Sequence, residues 1–189
     1  MTAAVLTTTE DQIFDALWGF VDAVFGSAIS ANIFKGFQNM TSTPTGSYIV
    51  IQPAQKVRQN QIRRDYDSTA GVVNNERDTV YSYQVDCYGP SGPDYADTVA
   101  IAWATMWACD YFAGQLATPT PGAPLPVTPL YADEPQQLNI VNGELAYEQR
   151  YMTKLFAQVN QVVALPQDFF TDPPAVDVTV PADYLPDLP

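Results

Sequence analysis

The sequence predicts an α+β fold: a mixed, mainly antiparallel sheet with two principal helices packed on it, extended loops and a proline-rich C-terminal arm. Three observations carry that expectation. Apolar residues recur at three- and four-residue spacing around 13–25 and 96–112, the period of a helix with one buried face. Period-two alternation runs through 79–88 and 147–163, as in strands with one covered face. Residues 166–189 then hold six prolines, five aspartates and no basic residue, too little apolar material to fold alone. A chain of 189 residues suits one domain with extensions, expected here as a domain over 1–165 and an arm over 166–189.

Thr9 to Gln12 has the T-x-x-Q form of a capping box, ahead of Ile13, Phe14, Leu17, Trp18, Val21, Val24 and Phe25, and predicts a helix over 10–26. Ile29, Ile33, Phe34 and Phe37 suit a second short helix docked against it. Tyr48 to Gln52 reads as a strand within 47–53, opened by Gly46 and limited by Pro53. Lys56 to Arg77 has few large apolar residues and is expected as an exposed hairpin or long loop. In 79–88, Tyr81, Tyr83, Val85 and Cys87 point one way and Ser82, Gln84 and Asp86 the other. Gly89 and Pro90 break that strand, and Ser91 caps a helix over 94–112. The helix stripe of Ala96, Val99, Ala100, Trp103, Met106 and Trp107 is expected to face the sheet. Five prolines in 118–129 predict an extended connector, followed by strands near 127–133 and 147–163. Val176, Val178 and Val180 alternate and suit a short strand if another sheet edge receives them.

Composition narrows the chemistry. There is no histidine, which removes Ser/His/Asp triads, Cys/His pairs and His-ligated zinc from this chain. Eight basic residues against 21 acidic ones leave a net charge of −13, the wrong sign for holding phosphates over the whole surface. Glycine-rich nucleotide loops and the G-x-S-x-G elbow are missing. No cofactor is expected. No apolar run reaches the roughly 18 residues of a membrane span, and the N-terminus lacks the basic start and long apolar middle of a signal peptide. Cys87 and Cys109 are expected as buried thiols: the helical rise from Asp94 to Cys109, about 22 Å, carries them too far apart for a disulfide.

Two residue sets stand out as candidates. Lys56, Arg58, Arg63, Arg64 and Arg77 are five of the eight basic residues, and on so acidic a chain they make a local complement for another acidic surface. Gln59, Gln61, Asp65 and Asp67 interleave with them, which argues for a docking loop over a phosphate-binding stripe. Phe169, Phe170, Tyr184 and Leu185 are apolar anchors in the proline-rich arm. Asp133, Glu134, Glu144 and Glu148 are close in sequence. Paired carboxylates of that kind serve glycoside hydrolysis when held about 5–9 Å apart, but acidic residues abound here and no calcium-loop pattern accompanies them.

The stretch DCYGPSGPDYAD from Asp86 to Asp97 ends an alternating strand in a D-x-Y-G-P turn before a helix. Later come the aspartate-proline turn Asp133 to Pro135, the N-G-E segment Asn142 to Glu144, and Tyr147 to Arg150, which opens the last long strand. In order and spacing these resemble the neck or tail terminator proteins of long-tailed bacteriophages, over roughly residues 45–170. The resemblance implies a non-enzymatic α+β subunit of the virion that assembles into a ring, usually a hexamer. Such a ring caps the tail tube, meets tube and possible sheath proteins on one side and the head-side connector or collar on the other, and passes DNA without specific binding. It implies assembly in the host cytoplasm and no membrane partner. A head-completion adaptor, a tail-tube protein and a carboxylate hydrolase using Glu144 and Glu148 are the alternatives.

Overall fold

The computed structural model describes residues 4–6, 8–36, 44–115, 127–141 and 147–166. In chain order these form β1 (Val5–Leu6), α1 (Glu10–Val24), β2 (Ile33–Lys35), β3 (Tyr48–Arg58), β4 (Arg63–Asp67) and β5 (Val72–Tyr88). There follow α2 (Gly92–Trp103), α3 (Met106–Gln115), β6 (Val127–Ala132), β7 (Gln136–Val141) and β8 (Tyr147–Pro166). The class is α+β, and all eight described strands join one sheet.

Two long strands organise that sheet. β5 and β8 pair antiparallel along their whole shared length, from Val72 opposite Pro166 to Tyr88 opposite Arg150. On its other side β5 carries β3 and then β4, laid end to end, and β2 adds to β3 in the one parallel pairing among the described strands. The outer side of β8 is shared by β1, β6 and β7. Proline explains the two bulges: register shifts occur between Pro53 and Gln55 and between Pro129 and Tyr131, where a residue without an N–H interrupts the ladder.

The core lies between one face of the sheet and the helices. Ile49, Ile51, Tyr81, Tyr83, Val85, Cys87, Leu155, Ala157 and Val159 face it from the strands, and each is at most 1% exposed. Ile13, Leu17, Phe20 and Val21 come from α1, Ala96, Val99 and Trp103 from α2, and Ala108 and Phe112 from α3. Phe20 is the hub, with the rings of Trp103, Trp107, Tyr111 and Phe112 within 5.2–5.6 Å. Trp103 also donates its indole N–H to the Phe156 carbonyl at 3.0 Å, fixing α2 to β8. The capping box is present in both halves, Gln12 N–H to Thr9 Oγ1 and Thr9 N–H to Gln12 Oε1.

Several expectations are corrected. The segment 94–112 is two helices: the chain turns at Ala104 and Thr105, where Thr105 accepts the Ala108 N–H and starts a new helix. The turn shifts the helical phase, so Ala108 and Phe112 continue the core while Met106 is 74% and Trp107 44% exposed. In place of a second helix after α1 there is a single 3-10 turn at Ser30–Asn32 and then β2, because Ile33 and Phe34 pair with the open edge of β3; Phe37 lies outside the described residues. Ser91 occupies the N-cap of α2 without a side-chain capping bond and instead donates its N–H to Ser47 Oγ at 3.0 Å. Cys87 is buried but Cys109 only partly so, and both are free thiols. β3, β5 and β8 run beyond their expected ends, and β7 was not expected at all. Most of the proline-rich connector and everything past Pro166 lie outside the described residues.

Candidate interface surfaces

The basic segment 56–77 is a hairpin, not a loop. β3 runs to Arg58, β4 takes up the pairing at Arg63, and the chain turns back at 68–71 into β5. All the fully buried residues of β5 lie from Thr79 onward, and every residue of β4 is exposed. The first half of β5, the last part of β8, β4 and β1 therefore form a thin sheet arm that extends past the helices.

Directly opposed residues share a face, so the register sorts the arm's side chains. Arg64 opposes Asn75, which opposes Val163 and through it Leu6; Tyr66 opposes Val73 and Leu165; Arg58 opposes Thr79. These rows and Arg77 lie on the side that carries the helices, as does Lys56 opposite Tyr81. Asp65, Asp67, Glu76 and Asp78 lie on the other side with Arg63, which pairs with Glu76. For Arg58, Arg64 and Arg77 the acids that interleave in sequence do not dilute them in space, because strand alternation puts those acids on the opposite face; of the segment's arginines Arg63 alone stays among them.

Lys56 is already engaged, 2.9 Å from Glu10 and over the Tyr81 ring. Arg58 donates to the Asn60 carbonyl, and Arg77 to Gln161 Oε1 at 3.3 Å. Among the described residues Arg58, Arg64 and Arg77 have no carboxylate partner. They fall within four residues along β5, about 14 Å. Beside them Tyr66, Leu165 and Leu6 are 42–45% exposed. Phe169, Phe170, Tyr184 and Leu185 lie outside the described residues.

On the sheet face away from the helices sits a pair that sequence reading missed. Arg150 grips Asp86 with two bonds, Nε to Oδ1 at 3.0 Å and Nη2 to Oδ2 at 2.9 Å. Gln52 and Gln84 also donate to Oδ2, at 3.2 and 2.8 Å. The bond to Asp86 holds the Arg150 guanidinium even more firmly protonated than usual, against the cost of partial burial. The pair links β5 to β8 across 64 positions; the sequence marked Asp86 at the head of the D-x-Y-G-P turn and Arg150 at the end of the segment that opens the last strand, but nothing in it joined the two.

A third surface is apolar. Ala23, Val24, Thr98, Ile101, Ala102 and Trp107 line an open groove of about 440 Å³ between α1 and the α2–α3 corner, and Ile101 is 68% exposed. Asp133 and Glu134 border a separate cleft with Asp97. Glu144 lies outside the described residues, as does the side chain of Glu148. Among the described residues no cluster of His, Cys, Asp or Glu suits a metal ion, and no helix is long and apolar enough to cross a membrane.

Among the described residues the surface thus carries a thin charged arm, an apolar groove and a sheet face that no described helix covers. The sequence model of the phage neck terminator protein family matches residues 11–182, nearly the whole chain. The chain belongs to that family. A search of curated proteins finds no match. Neck terminators are structural proteins of the virion, located at the tail and neck and associated with other head and tail proteins. The match runs past the end of β8, so in this neck terminator the tail beyond Pro166 belongs in large part to the family pattern.

Proposed function

We propose that this neck terminator closes into a homo-oligomeric ring, a hexamer, that caps the tail tube and joins it to the head-side connector. The observation that carries the reading is the arm: four strands held out from the helices, with charges sorted by face and the outer edge of β4 unpaired among the described residues. A subunit alone gains nothing from such an arm, whereas a ring uses it to reach the next copy. The net charge of −13 suits a channel that DNA slides through without sticking. The ring acts without catalysis or cofactor, assembles in the host cytoplasm, and meets tube and possible sheath proteins on its tail side.

The test has two parts. Averaged images of intact particles should show this protein as one closed ring at the tail's head-proximal end; scattered single copies would refute ring closure. Quantitative mass spectrometry of particles separates a terminator, at about one ring per virion, from a tube protein at many. For the docking role of the arm, Arg63→Glu with Arg64→Glu should keep the fold, by circular dichroism and melting temperature, yet block ring formation or head joining. Fully infectious particles carrying the double variant would exclude it.

A further inference from the structure

Three features of the arm converge on one occupant. Its helix-side face presents Arg58, Arg64 and Arg77, none with a carboxylate partner among the described residues. Rows of exposed apolar side chains, Tyr66 with Leu165 and, beside them, Leu6, flank those cations. The face thus asks for a ligand both acidic and apolar. On a chain with 21 acidic residues many segments are acidic, but residues 167–189 combine five aspartates and no basic residue with Phe169, Phe170, Tyr184 and Leu185.

Geometry says which copy supplies it. β8 runs outward along the arm and ends at Pro166, opposite Val72 at the arm's tip, so the chain leaves the sheet heading away from its own helices. The remaining 23 residues start from that tip and contain five prolines, each of which fixes φ and lowers the entropy of an extended segment. In polyproline-like extension they span about 70 Å, enough to cross to an adjoining subunit.

We propose that residues 167–189 of one subunit bind the helix-side face of a neighbour's arm, aspartates toward Arg58, Arg64 and Arg77 and aromatic anchors on the Tyr66 and Leu165 row. Proline lowers the ordering entropy lost on docking, and the paired charges set register along the groove of side chains. The inference rests on the ring reading only for the presence of a neighbour. Duplex DNA is the competing occupant of a basic face. Three cations on a subunit of net charge −13 favour the acidic peptide, because DNA must also approach the repulsive remainder.

The experiment uses the full chain with benzoyl-phenylalanine in place of Phe170. Unlabelled and nitrogen-15-labelled copies are mixed, irradiated and digested, and the sample's oligomeric size is measured by native mass spectrometry. The expected result is light-to-heavy cross-links into 58–77 or 163–166. Their yield should fall roughly tenfold with Arg64→Glu and Arg77→Glu and recover when Asp172→Lys and Asp183→Lys are added, the charge-swapped pair. Circular dichroism and melting confirm that each variant folds. Cross-links confined to one copy, cross-links elsewhere, no cross-links, or displacement of the tail by duplex DNA would each overturn the proposal. Rings whose cross-links map elsewhere would leave the ring reading intact, and arm cross-links without rings would overturn that reading alone.

Discussion

Replacing Arg150 with methionine tests whether the Asp86 pair stabilises the sheet. Methionine keeps the stem's volume and removes both charge-assisted bonds, leaving the Asp86 carboxylate, with its side chain 2% exposed, to the amides of Gln52 and Gln84. Stripping the partner from a buried charge costs about 3–5 kcal/mol. The low end applies, because the Arg150 side chain is itself 21% exposed and the two amides remain to solvate the carboxylate. A loss of roughly 3 kcal/mol at 2–4 °C per kcal/mol lowers the melting temperature by roughly 6–12 °C. Urea unfolding followed by tryptophan fluorescence reads the free energy. Asp86→Asn and the double variant complete a cycle whose coupling should reach about 2 kcal/mol, and Arg150→Lys, which keeps the charge but not the two-point grip, should fall between. A cost below about 1 kcal/mol for Arg150→Met, or additivity within about 0.5 kcal/mol, would refute the reasoning and put the pair with surface bridges that contribute little.

Three further outcomes follow from the core. Burial pushes the Cys87 thiol and the Tyr83 phenol well above their ordinary values of 9.0 and 10.0. Above those values the unfolded chain releases protons that the native state retains, so stability falls as pH rises from about 9; Tyr83→Phe should flatten the slope above pH 10 by up to about 1.4 kcal/mol per unit in a pH series of urea melts. The Tyr83 hydroxyl has no hydrogen-bond partner among the described residues, so the same change should cost nothing at pH 7. Gly89→Ala places a methyl 2.8 Å from the Gly46 carbonyl oxygen and 2.9 Å from Ser47 Cα at a φ of +84°, and should cost about 2 kcal/mol or more by thermal melting. Trp103→Ala opens the core beneath Phe20 and Phe112 and should cost about 3–5 kcal/mol in urea; a value near 1 would show that the ring cluster collapses to fill the space.

The helices and the inner halves of the long strands were legible because burial imposes contrast. Tyr81, Tyr83, Val85 and Cys87 face the helices, and the pattern announces it. Where no layer covers the sheet that contrast vanishes. The run VVNNERD of β5 and the run RRDYD of β4 carry polar or half-exposed residues on both faces, so their strand character comes from pairing with each other and with β8, a long-range fact. The break at Ala104 and Thr105 carries neither proline nor glycine; only the phase shift between Trp103 and Ala108 reveals it. Asp86 and Arg150 meet because the register of two strands brings positions 64 apart onto one face. The five basic residues named from sequence, Lys56, Arg58, Arg63, Arg64 and Arg77, lie on β3, β4 and β5, but the division of the segment's charges into two faces could be read only once β4 and β5 were known to be strands.

That division bears on how copies of so acidic a subunit would meet in the proposed ring. Copies of net charge −13 repel at long range, which keeps free subunits apart and discourages stray pairing along β4. Repulsion of that sort falls away with distance and with salt, while a contact between Arg64 or Arg77 and a carboxylate acts only at close approach. Association then depends on bringing particular surfaces together and not on general attraction. Sorting four acids and Arg63 to one side of the arm, and to the other Arg58, Arg64 and Arg77, which have no carboxylate partner among the described residues, would make that selectivity directional: in the proposed ring a neighbour presenting carboxylates would be accepted on the helix-side face and refused on the reverse. Such polarity is what a ring subunit needs, since head-to-tail closure requires two different faces that recognise each other.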